Sequence, residues 1–200
     1  MRKIYLIRHG EPQLPGGERI CLSRTDVPLS AEGHRQGARL AEHFAGIKLE
    51  AVFSSDLTRA KETASYLSAQ ATAISGLQEL GVGDWEGLAF HEIRERYPEL
   101  YARRGEDPVA HMMPGGERPS DCRDRGLAVL RDLLAKTAGD IAVVAHAGIN
   151  RLVLCELLGR DIKEFLSVPQ PYGCINILQE HDGMITVLVV GEVPAELRYL

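Results

Sequence analysis

Ile4-Tyr5-Leu6-Ile7-Arg8-His9-Gly10 runs four apolar residues straight into a cation, an imidazole and a glycine. A short continuous apolar run closed by a turn signal reads as a strand buried on both faces, here Lys3–Ile7. Ile141-Ala142-Val143-Val144-Ala145 repeats the pattern and leads into His146-Ala147-Gly148, after which Ile149, Leu152, Val153 and Leu157 keep the spacing of a helix packed on one side. Two buried strands that end in histidine belong to an open α/β sheet. Such sheets bind ligands at the carboxyl ends of their strands, which makes Arg8, His9 and His146 the first site candidates.

The other elements fit around these two strands. Leu14 to Leu29, with Pro15-Gly16-Gly17 and Val27-Pro28, reads as an irregular loop over the first strand end. Ser30 is placed to cap a helix running to about Phe44. Val52-Phe53 forms a short strand ending in Ser54-Ser55, and Leu57, Ala60, Ala64 and Leu67 then share one helical face. Arg59 falls in the first turn of that helix, off its apolar stripe, and so points toward the strand ends. Glu79 precedes the glycine-spaced loop Leu80–Gly87, which is followed by a short helix broken by Pro98 and by a loop through Pro114-Gly115-Gly116-Glu117. Leu127, Leu130, Leu133 and Leu134 mark a longer helix; the helix after His146 ends near Leu158, with Gly159 as its cap. Gly173–Gln179 and Met184–Val190 flank His181-Asp182-Gly183, a hairpin signal. The expected fold is a three-layer α/β/α sandwich with a mostly parallel central sheet and one antiparallel edge strand, a single domain over residues 1–200.

Composition narrows the function classes. A chain of 200 residues with 44% hydrophobic content suffices for one buried core. A net charge of −5 and the lack of a basic tract interleaved with aromatics argue against nucleic acid as partner. No apolar run reaches the length of a membrane span, and Met1-Arg2-Lys3 leads into a strand rather than a signal-peptide core, so a cytoplasmic protein without a membrane partner is expected. Cys21, Cys122, Cys155 and Cys174 are scattered without metal-site spacing, and no Walker, H-E-x-x-H or G-x-G-x-x-G motif occurs. His9, Glu11 and His146 invite a metal reading, but Arg8 opposes a cation there. Neither metal nor cofactor is expected.

The charge pattern suits a phosphate monoester. Arg8 and Arg59 offer bidentate donors to phosphoryl oxygens, and the turn N–H groups near Gly10 and Gly148 are further candidates. His9, exposed at a tight turn, is the candidate nucleophile, since a histidine pKa of about 6.5 leaves one ring nitrogen free near neutrality. His146 reads as a clamp on the equatorial oxygens. Glu79 is the first candidate for protonating the leaving alcohol, its proton retained by apolar neighbours such as Trp85, and Glu11 is the second. His34, His43 and His91 read as surface or interhelical groups, whereas His111 and Glu117 lie on a loop that reaches toward the site. Trp85 and Tyr172 are candidate substrate walls.

Leu6-Ile7-Arg8-His9-Gly10-Glu11, Thr25-Asp26-Val27-Pro28-Leu29-Ser30, Ser54–Ala60 with Glu62-Thr63-Ala64, Glu79 with Leu80–Gly87, and Ala145–Gly148 with Arg151 resemble, in order, the histidine phosphatase superfamily, also called phosphoglycerate mutase-like. The resemblance implies a two-step phosphohistidine mechanism. His9 takes the phosphoryl group, Arg8, Arg59 and His146 hold it, and Glu79 protonates the leaving alcohol and then assists water. It implies substrate contacts at Arg8, Gly10, Glu11, Ser23, Arg59, Trp85, His146 and Ala147, with a small phosphate ester as partner and a monomer or homodimer as the assembly. Ser23 stands where the family usually has glycine, which alters the loop at the pocket mouth. Mutases of this group carry a longer basic insertion than Leu88–Pro114, so hydrolysis is favoured over phosphoryl return; a mutase or a non-catalytic phospho-ligand module are the alternatives. The Gly83–Gly87 and Pro114–Glu117 patterns resemble the α-ribazole phosphatase type, implying α-ribazole 5′-phosphate and cobalamin assembly.

Overall fold

Ile4 to Ile7 lie within β1 (Arg2–Arg8), which pairs in parallel with β4 (Ile141–Ala145) from Ile4 opposite Ile141 to Arg8 opposite Ala145. That register brings the two histidines out side by side beyond the strand ends, and His9 N–H extends the ladder by one bond to Ala145 O, 3.0 Å. The computed structural model describes residues 1–194. With β2 (Ala51–Ser55), β3 (Thr72–Ile74), β5 (Ile175–His181) and β6 (Met184–Glu192), the sheet has the order β3-β2-β4-β1-β5-β6. The first four positions in that order are parallel, while β5 runs against β1 and β6 against β5, so the antiparallel part is an edge hairpin. Its turn places Asp182 and Gly183 at positive φ, 51° and 81°, the conformation that a two-residue Asp-Gly loop favours.

Successive residues of the central strands face opposite layers. Tyr5, Ile7, Ala142 and Val144 pack on α1 (Ala31–Phe44) and α2 (Thr58–Ser65) through Leu40, Phe44, Ala60 and Ala64. Ile4, Leu6, Ile141 and Val143 pack on α5 (Pro119–Lys136) and α6 (Ala147–Leu157) through Leu130, Leu133, Leu152 and Leu154. The chain therefore leaves β1 toward one face and β4 toward the other. The crevice between their ends is the sheet's switch point.

Two details depart from the expected elements. β3 has three residues, too few for a periodic signal. Pro98 does not simply end a helix: α3 (Phe90–Arg96) stops before it, and Pro98 opens α4 (Pro98–Glu106) at the first position, where a missing N–H costs nothing. α3 and α4 carry a small core of their own with Trp85, Ile93 and Met113. The loop over the site is tied down by bridges Pro12–Leu29 and Ile20–Ala89. Among the described residues no helix is long and apolar enough to cross a membrane.

Candidate active site

The Arg8-His9-Gly10 turn is held from both sides. Gly10 N–H donates to Thr63 Oγ1 at 3.0 Å, and Thr63 donates onward to Arg59 O at 2.7 Å, tying the turn to α2. His9 Nδ1 lies 2.6 Å from Gly10 O. A carbonyl only accepts, so Nδ1 carries the proton and Nε2 keeps its lone pair. Burial first, then the charges of Arg8 and Arg59, hold the His9 pKa well below the usual histidine range, so the ring is neutral at pH 7. The ring centroids of His9 and His146 are 5.0 Å apart. His146 is likewise driven neutral by burial, then by His9, Arg59 and Arg8.

The arginines are fixed by carbonyls rather than carboxylates. Arg8 donates to Gln170 O and stacks on Tyr172, 3.8 Å from the ring centroid. Arg59, 1% exposed, donates to Thr25 O at 2.9 Å and to Ser23 O. That turn is in turn pinned by Glu86, whose carboxylate accepts N–H bonds from Ser23, Arg24 and Thr25 at 2.9, 3.0 and 3.1 Å. Although burial works against it, this set of donors holds the Glu86 pKa below the usual carboxylate range. Arg8 Nε, Arg59 Nε and both ring nitrogens of His146 are buried and have no hydrogen-bond partner among the described residues.

Glu79 sits at the start of α6. Its Oε1 accepts from Leu80 N (2.8 Å) and Ile149 N (3.0 Å), and its Oε2 from Gly148 N (2.9 Å). Backbone donors therefore hold this half-buried carboxylate, whereas the sequence suggested apolar enclosure. Gly148 is required by the close approach: a Cβ there would lie 2.6 Å from Glu79 Oε1.

These groups border a cleft of about 440 Å³ lined by Arg8, His9, Arg59, Glu79, Ala147 and Gly148 at its inner end. Trp85 and Tyr172 are among the residues that line it. Four anticipated contacts are engaged otherwise. The Glu11 carboxylate accepts from Ser30 Oγ at 2.8 Å beside the N-cap of α1, outside the cleft lining. Ser23 is fully buried and donates to Leu80 O at 2.6 Å; its contribution is the carbonyl that grips Arg59, not a mouth side chain. The N–H groups of Gly10 and Gly148 are already spent on Thr63 and Glu79, and Ala147, the first residue of α6, lines the cleft beside them. Glu117 is engaged by Arg24, Arg125 and Gly81 N–H, so it anchors its loop.

The sequence pattern of the histidine phosphatase superfamily (branch 1) matches residues 4–193. The chain belongs to the histidine phosphatase superfamily. Phosphoserine phosphatase 1 of Hydrogenobacter thermophilus is 30% identical over 182 residues, 88% of this chain and 83% of that protein. Chicken 6-phosphofructo-2-kinase/fructose-2,6-bisphosphatase is 33% identical over 165 residues, 82% of this chain; the chain spans only 34% of that protein's length. Bacillus stearothermophilus YhfR superposes with a TM-score of 0.89 at 25% identity, covering 96% of this chain and 98% of that one. A putative α-ribazole-5′-P phosphatase from Escherichia coli superposes with a TM-score of 0.84 at 24% identity, covering 96% of each chain.

Beside the motifs of this histidine phosphatase fold, the structure gathers residues that sequence reading passed over. Arg19, Phe90, Tyr101 and Arg104 line the outer cleft, brought there by the 12–29 loop and the α3–α4 unit. Gln170 and Asn176, both buried, bond to each other beneath Arg8, and Asn176 Nδ2 also donates to Leu6 O at 2.8 Å. The signal for this pair was the polar residue inside an otherwise apolar β5 run, where a buried amide needs partners.

Proposed function

We propose that the chain hydrolyses a small phosphate monoester by passing the phosphoryl group through His9 Nε2. One observation carries this reading: Arg8, Arg59 and His146, each with buried nitrogens that have no partner among the described residues, stand close to a neutral histidine whose Nδ1 is already committed. Buried donors are nearly always bonded, and a phosphoryl group supplies the missing acceptors. Neutral His146 donates from one ring nitrogen, the guanidinium groups donate from theirs, and the Ala147 N–H adds a backbone donor.

In the first step His9 Nε2 bonds to phosphorus as the ester P–O bond breaks, and Glu79 gives its proton to the departing alkoxide. Oε2 accepts one backbone bond against two at Oε1, so Oε2 has the free position for that proton. In the second step the Glu79 carboxylate takes a proton from water, the oxygen bonds to phosphorus, and the P–N bond breaks to restore neutral His9. General acid catalysis of this kind contributes about 10²–10⁴-fold. Charge on the transferring group is met by arginine, and no metal is invoked.

The aromatic side of the cleft, with Trp85, Phe90 and Tyr101, suits a planar or apolar leaving group. α-Ribazole 5′-phosphate is one such ester, supported by the motif resemblance and by the name of one structural neighbour. The test is phosphate release from α-ribazole 5′-phosphate, phosphoserine, 3-phosphoglycerate, fructose phosphates and p-nitrophenyl phosphate without added metal. Turnover supports a hydrolase, and a large kcat/KM preference identifies its substrate. No release from any ester, with tight phosphate binding retained, would point instead to a binding module.

A further inference from the structure

The turn between the helical segment Ile162–Ser167 and β5 carries the Arg8 side chain. Among the described residues that side chain makes one hydrogen bond, to Gln170 O, and one ring contact, to Tyr172, and no ion pair. The same turn accepts Arg8 N–H at Cys174 O, 3.1 Å, and donates Gly173 N–H to His9 O, 3.1 Å. Where the turn sits therefore decides where the guanidinium points.

Buried carboxamides root this turn in the sheet. Gln170 and Asn176 exchange two bonds, Gln170 Nε2 to Asn176 Oδ1 at 2.6 Å and Asn176 Nδ2 to Gln170 Oε1 at 3.1 Å. Gln170 Nε2 also donates to Pro169 O at 2.7 Å and Asn176 Nδ2 to Leu6 O at 2.8 Å, while Gly191 N–H donates to Asn176 Oδ1 at 2.8 Å. From α6, one turn beyond His146, Asn150 Nδ2 adds a bond to Gln170 Oε1 at 3.2 Å. A carbonyl only accepts and an amide N–H only donates, so the backbone partners fix which end of each side chain is oxygen. Every N–H of the Gln170 and Asn176 side chains is used, and both residues are buried. A buried polar network satisfied in this way is rigid. β6 bends to complete it: Ile175 pairs with Glu192 but Ile177 with Val189, a bulge at which Gly191 N–H meets Asn176. Gly191, at φ 69°, leaves no room for a Cβ against Pro169 O.

We propose that Gln170 is a positioning residue for Arg8, and that Asn176 and Asn150 hold it in that role. None of the three is among the residues that line the cleft. They act by fixing the carbonyl and the ring that aim Arg8 at the phosphoryl group, and the role rests on the reading of Arg8 as a phosphate donor. An acceptor without formal charge leaves the full charge of the guanidinium to the ligand, whereas a carboxylate in the same place would neutralise it.

A double-mutant cycle on the affinity for inorganic phosphate, read by phosphorus NMR titration, tests this apart from turnover. Gln170→Glu keeps the shape but sets carboxylate oxygens against Pro169 O and Asn176 Oδ1. Gln170→Met removes the amide without adding a charge, and Asn150→Ala removes a single bond. The phosphate Kd should rise about tenfold in either Gln170 variant and about two- to threefold in Asn150→Ala, and each rise should shrink below about twofold when Arg8→Met is already present. Phe44→Leu, a core substitution at the last residue of α1, should lower Tm and leave the phosphate Kd unchanged. An unchanged Kd in the folded variants, an equal rise with and without Arg8, an equal rise in Phe44→Leu, or a native chain that binds no phosphate would overturn the proposal. Hydrolysis of p-nitrophenyl phosphate is followed in parallel. Its absence alongside an intact cycle would remove the hydrolase reading and leave the positioning role standing; turnover with no coupling between Gln170 and Arg8 would remove the positioning role alone.

Discussion

Replacing Gly148 with alanine sets two physical effects against each other. Gly148 is the second residue of α6, and alanine in a helix is ordinarily favoured over glycine by about 1 kcal/mol. Here the added Cβ would stand 2.6 Å from Glu79 Oε1 and 3.1 Å from Leu80 Cβ. The carboxylate cannot yield freely, because the same oxygen accepts from Leu80 N–H and Ile149 N–H at 2.8 and 3.0 Å. Moving it aside gives up one bond to a charged group, about 1.5–3 kcal/mol. After the helix gain, a net destabilisation of about 1–2 kcal/mol is expected, or about 2–8 °C in Tm for a domain of this size. The enzyme stays folded while its proton donor is displaced. Activity should therefore fall by leaving group: about 10²-fold in kcat/KM for an alkyl phosphate, and less than about fivefold for p-nitrophenyl phosphate, whose leaving group needs little protonation. Steady-state kinetics on both esters, with a thermal melt as control, measures this. Equal losses on the two esters, or no loss on either, would refute the link between Gly148 and Glu79.

Three further outcomes follow from the same geometry. Glu79→Gln should slow alkyl phosphates by about 10²-fold or more while sparing p-nitrophenyl phosphate, whereas Glu11→Gln should show no such leaving-group dependence; the opposite pattern would move the acid role to Glu11. Glu86→Ala removes the acceptor that pins residues 23–25 behind Arg59, so the inhibition constant for inorganic phosphate should rise about tenfold. An unchanged constant would show that Arg59 is placed without Glu86. His9 and His146 have folded pKa values well below the unfolded value of about 6.5, so as pH falls the unfolded chain binds their protons first. Their contribution is complete above about pH 6.5 and is lost as pH drops toward the folded values, by about 1.4 kcal/mol per pH unit for each histidine. Urea melts from pH 7.5 to 5.5 should show a slope that His146→Gln reduces by that amount; an identical slope in the variant would contradict a neutral, buried His146.

The two histidine-ended strands were legible because both faces of β1 and β4 are covered, which writes burial as unbroken apolar runs. Their parallel register then decides that His9 and His146 emerge together. The pattern of α2 marks Arg59 as a polar residue off the apolar stripe, but in the fold Arg59 is buried with Ala60, Thr63 and Ala64 and held there by carbonyl acceptors that carry no local signal. The partners of the site were not legible. Whether the Gly10 and Gly148 amides are free or already bonded depends on Thr63 and Glu79 arriving from distant segments, a matter of tertiary approach with no local signal. Ser23 and Glu11 sit beside motif residues in sequence, yet the chain turns their side chains toward Leu80 and Ser30. The outer wall depends on how α3 and α4 fold back over the cleft, and a helix face shows in sequence that it packs, not what it packs against.

The central claim is that phosphoryl transfer runs through His9 Nε2, and rapid mixing with a phosphorus-labelled ester followed by alkaline quench tests it most directly. The account predicts a label that is stable in base and labile in acid, maps to His9, and forms and decays no slower than turnover. Full turnover with no label on His9, or undiminished kcat in His9→Ala, would contradict it.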